Sequence, residues 1–283
     1  MTDLVERELA SDGRISVLER ALYTTTRSLT PSTITRLAGL CGLSVAVVSR
    51  GCARLVGTGW LTFGKNGREK RPLPAAPSHV QVRQADLLTS LYPMQKHKGE
   101  FLMKALLDAH VLSRVFVENA RPDWLVNPTT NEPMELDRLY LWPRADSQKS
   151  GVVVSPAVPA SFPTGDSESE RVANSQGLYD PRLKGSGLHG FEFYGPQHFG
   201  PTKRYPDKEE AKKLQARDLM KKGICADFGL KMTVVTYKDL SPKGIRRRIP
   251  KTLPVGHADL EGSYMKKLSA LCAHYRAHAG EFW

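Results

Sequence analysis

Residues 144–188 constrain this chain more than any other stretch. The segment, which contains "ADSQKSGVVVSPAVPASFPTGDSESERVANSQG", is rich in Ser, Pro, Gly and Ala. It lacks the apolar periodicity of a strand or a helix, so it cannot pack a core of its own. It is expected to be a long loop or a partly disordered segment. Any core must then be assembled from the residues on either side. Loop-closure entropy grows only with the logarithm of length, so so long a loop is thermodynamically cheap. The strand-like segments at its two ends, "MELDRLYLW" at 134–142 and "HGFEFYGPQH" from 189, are therefore free to pair.

Residues 14–63 read as three helices and a ribbon. "RISVLERALYTTTR" has apolar residues at 15, 18, 21 and 22, a helical stripe. In "LTPSTITRLAGLCG", Thr30 is placed to cap a helix, Pro31 suits its first turn and Gly42 suits its C-terminal stop. "LSVAVVSRGCARLVGTGWL" supplies the next helix, with Ser44 as its expected N-cap. "WLTF" and "REKRPLP" flank "GKNG", a hairpin turn signal. Ala38 allows two helices to approach closely and Gly42 takes the tight turn, an arrangement that suits a helix-turn-helix.

"LAGLCGLSVAVVSR" resembles the winged-helix family of DNA-binding domains, over about residues 14–75. The resemblance implies that Ser44, Ser49, Arg50 and Arg54 lie on or near the exposed face of a recognition helix. Lys65, Arg68, Lys70 and Arg71 would then make a basic wing that lies along phosphates. The expected domains are a winged helix over 1–76 and an α/β domain over 77–283 that carries the 144–188 insertion.

Charge agrees with a nucleic-acid partner. Lys and Arg outnumber Asp and Glu by 41 to 29, a formal charge of +12. Cysteines at 41, 52, 225 and 272 form no CxxC pair, which excludes a zinc ribbon. The N-terminal "MTDLVERELASDGR" is acidic and has no apolar h-region, and no apolar run approaches membrane-spanning length. A soluble, cytoplasmic protein with reduced thiols is expected, with no membrane partner.

The second half holds the chemistry. Glu100 falls on the helical "KGEFLMKALLDAH", Asp137 on one strand-like segment and Glu192 on another, with Gln197 and His198 just past a Gly-Pro break. Carboxylates on neighbouring strands can share a hard cation such as Mg²⁺ or Mn²⁺ through oxygen ligands. An amide or imidazole beside them can orient water or hold a phosphate. "DKEEAKKLQARDLMKKGICADFG" follows as a polar helix, then the apolar strand "KMTVVTY", a basic loop "SPKGIRRRIPK" and a final helix near 259–278.

"ELD" at 135–137, "EFYGPQH" at 192–198 and "RDLMKKGICADFG" at 217–229 resemble motifs of the PD-(D/E)XK, or restriction-endonuclease-like, nuclease superfamily. The match covers about residues 95–240. It implies an α/β core with a mixed central sheet, with Asp137 and Glu192 as metal carboxylates. Gln197 would replace the usual motif lysine, and Glu100 would be the acidic residue of the first core helix. Lys221 would face the phosphate, with Arg217 and His198 as phosphate-positioning groups. Related sequences often have Asp where Tyr194 stands, and they lack the long insertion. The "PD" at 122–123 ranks behind "ELD", since it precedes that motif by over a dozen residues.

These readings converge on a metal-dependent DNA endonuclease or nickase, of a kind that suits a phage, plasmid or mobile element. A double-strand cut needs two active sites, hence a homodimer or two binding events. Two alternatives stay open: a non-catalytic DNA-binding regulator, and a relaxase-like nickase with Tyr194 as nucleophile.

Overall fold

A computed structural model of the chain describes residues 2–28, 33–66, 69–112, 116–140, 188–203, 206–256 and 258–279. The expected loop at 144–188 lies outside them except for Leu188, as do Thr30, Pro31 and Arg68. The chain divides into two compact units, Met1–Arg114 with Val235–Glu281 and Val115–Val234 with Phe282–Trp283. The boundary expected after residue 76 falls inside the first unit.

The first unit opens with α1 (Thr2–Ser11), α2 (Val17–Ser28), α3 (Ile34–Cys41) and α4 (Val45–Gly57), then the hairpin β1 (Leu61–Asn66) and β2 (Glu69–Pro74). Its first helix is not legible as one in the acidic N-terminus, yet Val5 and Leu9 share one side of it and both are buried. Thr33, not Thr30, caps α3 and accepts from the Arg36 N–H. Gly42 ends that helix at φ 65°, the left-handed conformation that favours glycine. Ser44 caps α4 and accepts from the Val47 N–H. The axes of α3 and α4 differ by 112°, within the helix-turn-helix range. Leu22, Leu37, Val48, Cys52, Leu55 and Trp60 form the core beneath them.

Trp60 is 0% exposed, and its indole N–H donates to Asp12 Oδ2 at 2.9 Å. The Arg14 guanidinium and this indole hold the Asp12 carboxyl well below the usual carboxylate range. In the hairpin, Asn66 pairs with Glu69, so the turn falls later than "GKNG" implies and Gly64–Asn66 belong to a strand. A Cβ at Gly64 would stand 2.5 Å from Leu73 Cδ1, so a larger residue there would make that side chain shift.

The same unit continues with α5 (Ser78–Leu91) and α6 (Lys98–His110). It ends with α8 (Pro242–Arg248) and α9 (Ser263–Ala279), the final helix close to its expected position. The "SPKGIRRRIPK" segment, expected as a loop, contains α8 because Ser241 caps it and Pro242 starts it. Among the described residues no single helix is long and apolar enough to cross a membrane.

The second unit holds a mixed four-stranded sheet in the order β3 (Phe116–Ala120), β4 (Leu136–Tyr140), β5 (His189–Tyr194), β6 (Lys231–Thr236). The two segments on either side of residues 144–188 do pair, as β4 and β5, antiparallel with Arg138 opposite Phe191. The helix α7 (Lys208–Asp227) carries the chain from β5 to β6. Asp207 caps α7, accepting from the Glu209 and Glu210 N–H groups. Leu125, Met134, Leu136, Leu139, Cys225 and Leu230 form the core of this unit.

His189 on β5 shares a 2.7 Å hydrogen bond from Nε2 with Thr233 Oγ1 on β6. Burial, then the nearby Lys231, push its pKa down to about 4. An unfolded histidine titrates near 6.5. The unfolded chain therefore takes the proton first, so this stability is complete above pH ~6.5 and is lost as pH falls toward ~4. The full loss is about 3 kcal/mol. The expected result is a denaturation midpoint that falls with pH across this window in the wild type and much less in His189→Asn. Parallel pH profiles of the two proteins would refute it.

Candidate active site

The second unit brings Asp137 and Glu192 together by strand register. Arg138 faces Phe191 in the last ladder pair, so the next step sets Asp137 against Glu192. There the carboxylates take over from the ladder. The Phe193 N–H donates to Asp137 Oδ2 at 2.6 Å, and the Asp137 N–H donates to Glu192 Oε2 at 3.4 Å. Each side chain is thus fixed by the backbone of the opposite strand.

The third member comes from α7, and its direction is the unusual feature. A helix on a sheet normally turns its apolar residues inward. This one buries Asp218, Lys221 and Cys225 and leaves Leu219 68% exposed. Burying a charge is costly unless it is paired. Lys221 Nζ donates to Glu192 Oε1, and also to the Glu135 carbonyl at 2.7 Å. Glu192 is 6% exposed. Burial raises its pKa, and the Lys221 ammonium works against that rise. The ion pair sits at the point where the two strands stop sharing backbone hydrogen bonds.

Asp218 is held in turn by His198, whose Nδ1 lies 2.7 Å from Asp218 Oδ2. An ionised carboxylate can only accept, so the pairing places a proton on Nδ1 and turns Nε2 away from Asp218. Nε2 has no hydrogen-bond partner among the described residues. The His198 ring stacks on Tyr194 at 4.4 Å and 5°, and Lys222 Nζ lies 5.1 Å from the Tyr194 ring centroid. The Tyr194 hydroxyl is buried without a hydrogen bond. Burial and the surrounding Asp218, Glu192 and Asp137 carboxylates push its pKa up, so it stays a neutral phenol at ordinary pH. That environment opposes its use as a nucleophile. Burial likewise pushes the Cys225 thiol up to about 11, away from thiolate chemistry.

Glu100 belongs to the first unit, where its carboxylate pairs with Lys104 one turn on at 2.6 Å. Gln197 makes no hydrogen bond to Asp137 or Glu192. Its amide folds back on Gly195, where a Cβ would stand 2.5 Å from Oε1. It lines a cleft of about 260 Å³ with Gly200 and the first turns of α7. The basic group on Glu192 is therefore Lys221. Arg217 is exposed on α7. Asp123 of the "PD" pair is exposed in a turn. A second cleft, about 170 Å³, lies in the first unit and contains none of these residues.

In the first unit, Ser49 and Arg50 are exposed on α4. Ser44 is exposed but committed to its cap. Arg54 is not a free reader: its Nε binds the buried Glu19 carboxylate at 2.9 Å and ties α4 to α2. Arg71 is half-buried on β2, while the side chains of Lys65, Arg68 and Lys70 lie outside the described residues.

The residue that sequence reasoning undervalued is Asp218. The signal available was its spacing: it precedes Lys221 by three residues, which places both on one side of a helix.

Asp137 and Glu192 offer oxygen donors alone, the set that suits Mg²⁺ or Mn²⁺. Among the described residues no three His, Cys, Asp or Glu side chains form a metal-binding group. Mg²⁺ commonly takes one or two carboxylates and completes its shell with water and substrate oxygens, so the pair fits the ion in kind. No family model, curated protein or solved structure matches this chain.

Proposed function

We propose that this protein is a metal-dependent DNA endonuclease or nickase of the restriction-endonuclease-like class, with a winged helix that holds DNA. The observation that carries the reading is the inward-facing pair on α7. Lys221 is buried on Glu192, which the strand register sets against Asp137. A helix that buries its charges breaks the local rule of apolar-inward packing, and such breaks concentrate at functional sites.

In this reading Asp137 and Glu192 hold Mg²⁺ or Mn²⁺, which when bound supplies a Lewis acid at the scissile phosphate and an acidified water. The chain's own residues do the rest. The cross-strand hydrogen bonds keep the two carboxylates oriented without substrate. Lys221 supplies the positive charge that opposes the burial-driven rise of the Glu192 pKa and attracts a phosphate oxygen. His198, oriented by Asp218, offers Nε2 to accept a proton or to contact a phosphate. Arg217 and Lys222, exposed on the same helix, add positive charge for the DNA backbone.

The DNA-holding role draws on the 112° crossing of α3 and α4, the exposed Ser49 and Arg50, and the hairpin that follows. The formal charge of +12 favours a polyanionic partner.

The test is incubation of the purified protein with supercoiled plasmid, with Mg²⁺, with Mn²⁺ and with chelator. Nicked or linear product that requires the metal is the expected result. Tight DNA binding with no product under any of these conditions would overturn the enzymatic reading and favour a DNA-binding regulator.

A further inference from the structure

Resting on the DNA-binding reading above, we infer that residues 238–251 form a second DNA contact, a rigid basic platform that takes the sugar-phosphate backbone of duplex DNA. The segment Ser241–Lys251 contains Lys243, Arg246, Arg247, Arg248 and Lys251 and no acidic residue. Its two isoleucines point inward: Ile245 is 0% exposed and Ile249 is 7% exposed. The lysines at 243 and 251 and all three arginines are consequently on the outside.

The mounting is fixed at several points. Thr236 and Asp239 form a reciprocal cap on the turn before α8. Ser241 Oγ accepts from the Gly244 N–H at 2.9 Å. A Cβ at Gly244 would stand 2.3 Å from the Asp239 carbonyl oxygen, so helix and turn are in direct backbone contact. Arg276 of α9 donates to the Leu240 carbonyl.

The cations divide into two groups. Arg248 Nε binds Asp239 Oδ1 at 2.9 Å, and Arg246 Nη1 donates to the Gly256 carbonyl at 3.2 Å. These two fasten the segment. Lys243, Arg247 and Lys251 are exposed and have no partner among the described residues. Lys238, also exposed, lies 5.8 Å from the Tyr237 ring.

The chemistry selects the partner. Clustered guanidinium and ammonium groups on a preordered frame match phosphate oxygens at a low ordering cost. A lipid surface is disfavoured, because an interfacial helix needs exposed apolar residues and both isoleucines of this segment are buried.

The test is fluorescence anisotropy on a labelled duplex of arbitrary sequence, across a salt series. The proteins are the wild type, Lys243→Gln/Arg247→Gln/Lys251→Gln, and a control of equal charge change, Lys208→Gln/Lys212→Gln/Lys213→Gln on α7. Each lost phosphate contact flattens the log–log salt slope by about 0.9. The first triple variant should flatten it by about 3 and weaken binding in 0.1 M salt by roughly 100-fold or more, with its melting temperature unchanged. The α7 control should keep the wild-type slope. A wild-type slope in the first variant, or equal flattening in both, overturns the platform and leaves the DNA reading standing. A wild type that does not bind the duplex at all overturns both. Retention on phosphatidylserine vesicles without duplex binding does the same.

Discussion

Asp137→Asn and Glu192→Gln are each expected to reduce metal-dependent plasmid cleavage by about three orders of magnitude or more, equivalent to roughly 4 kcal/mol of barrier. Both changes are nearly isosteric. Asparagine keeps an oxygen for the Phe193 N–H, whereas glutamine keeps a single oxygen for either the Asp137 N–H or the Lys221 ammonium and turns its NH₂ toward the other. Each variant removes one negative charge from the pair that would hold the cation. Alanine would test less, because it also removes the cross-strand bonds that align β4 with β5. Duplex binding should stay within about threefold of the wild type, since the residues proposed to hold DNA are untouched. Single-turnover cleavage at saturating Mg²⁺ is the measurement. Wild-type rates in either variant would remove that carboxylate from the assignment.

Lys221→Met is expected to cost about 3–5 kcal/mol of stability in the second unit at neutral pH. Methionine fills much of the lysine's volume, so the loss reports charge more than packing. What it leaves is Glu192, 6% exposed, without its ammonium partner. It also leaves the Glu135 carbonyl without the donor that reached it at 2.7 Å. The double variant Lys221→Met/Glu192→Leu removes both charges and should recover most of the loss, because an apolar pair needs no ionic partner. Urea unfolding of the wild type, both single variants and the double variant completes a mutant cycle. A coupling below about 0.5 kcal/mol would show that the two groups are independent. If Lys221→Met does not fold, the double variant still tests the pair, since its recovery depends on removing the second charge.

Local signals were read correctly where local physics decides. Ser44 and Gly42 bracket a turn through backbone requirements that no distant residue alters. Asp207 starts α7 by accepting its first N–H groups. An apolar, aromatic run around Glu192 marked β5, and the low entropic cost of a long closure left β4 and β5 free to pair, as they do. Where two local choices were near in energy, the reading slipped. Thr30 and Thr33 are both sound caps, and α3 uses the second. The basic segment at 241–251 carried a proline that reads as a loop breaker, yet that proline sits where a helix can begin.

The site divides along the same line. Asp137, Glu192, Lys221 and His198 could be named from residue types and spacing, because carboxylates on apolar strands and a basic residue on the next helix are visible in one dimension. Which of them touch was decided by tertiary structure. The few apolar residues of α7 are scattered around its circumference and form no stripe, so its sequence holds little preference for the face it turns inward. Asp218 and Lys221 point to the sheet because His198 and Glu192 are there to receive them, and those partners are 20 and 29 residues away in sequence. Glu100 shows the converse. It looked equivalent to the other acids in the sequence, but its helix packs in the first unit and its charge is met by Lys104. The chain by itself fixed which groups could ionise, cap or pair. The fold decided which did, because a buried charge is tolerated only where long-range packing delivers its partner.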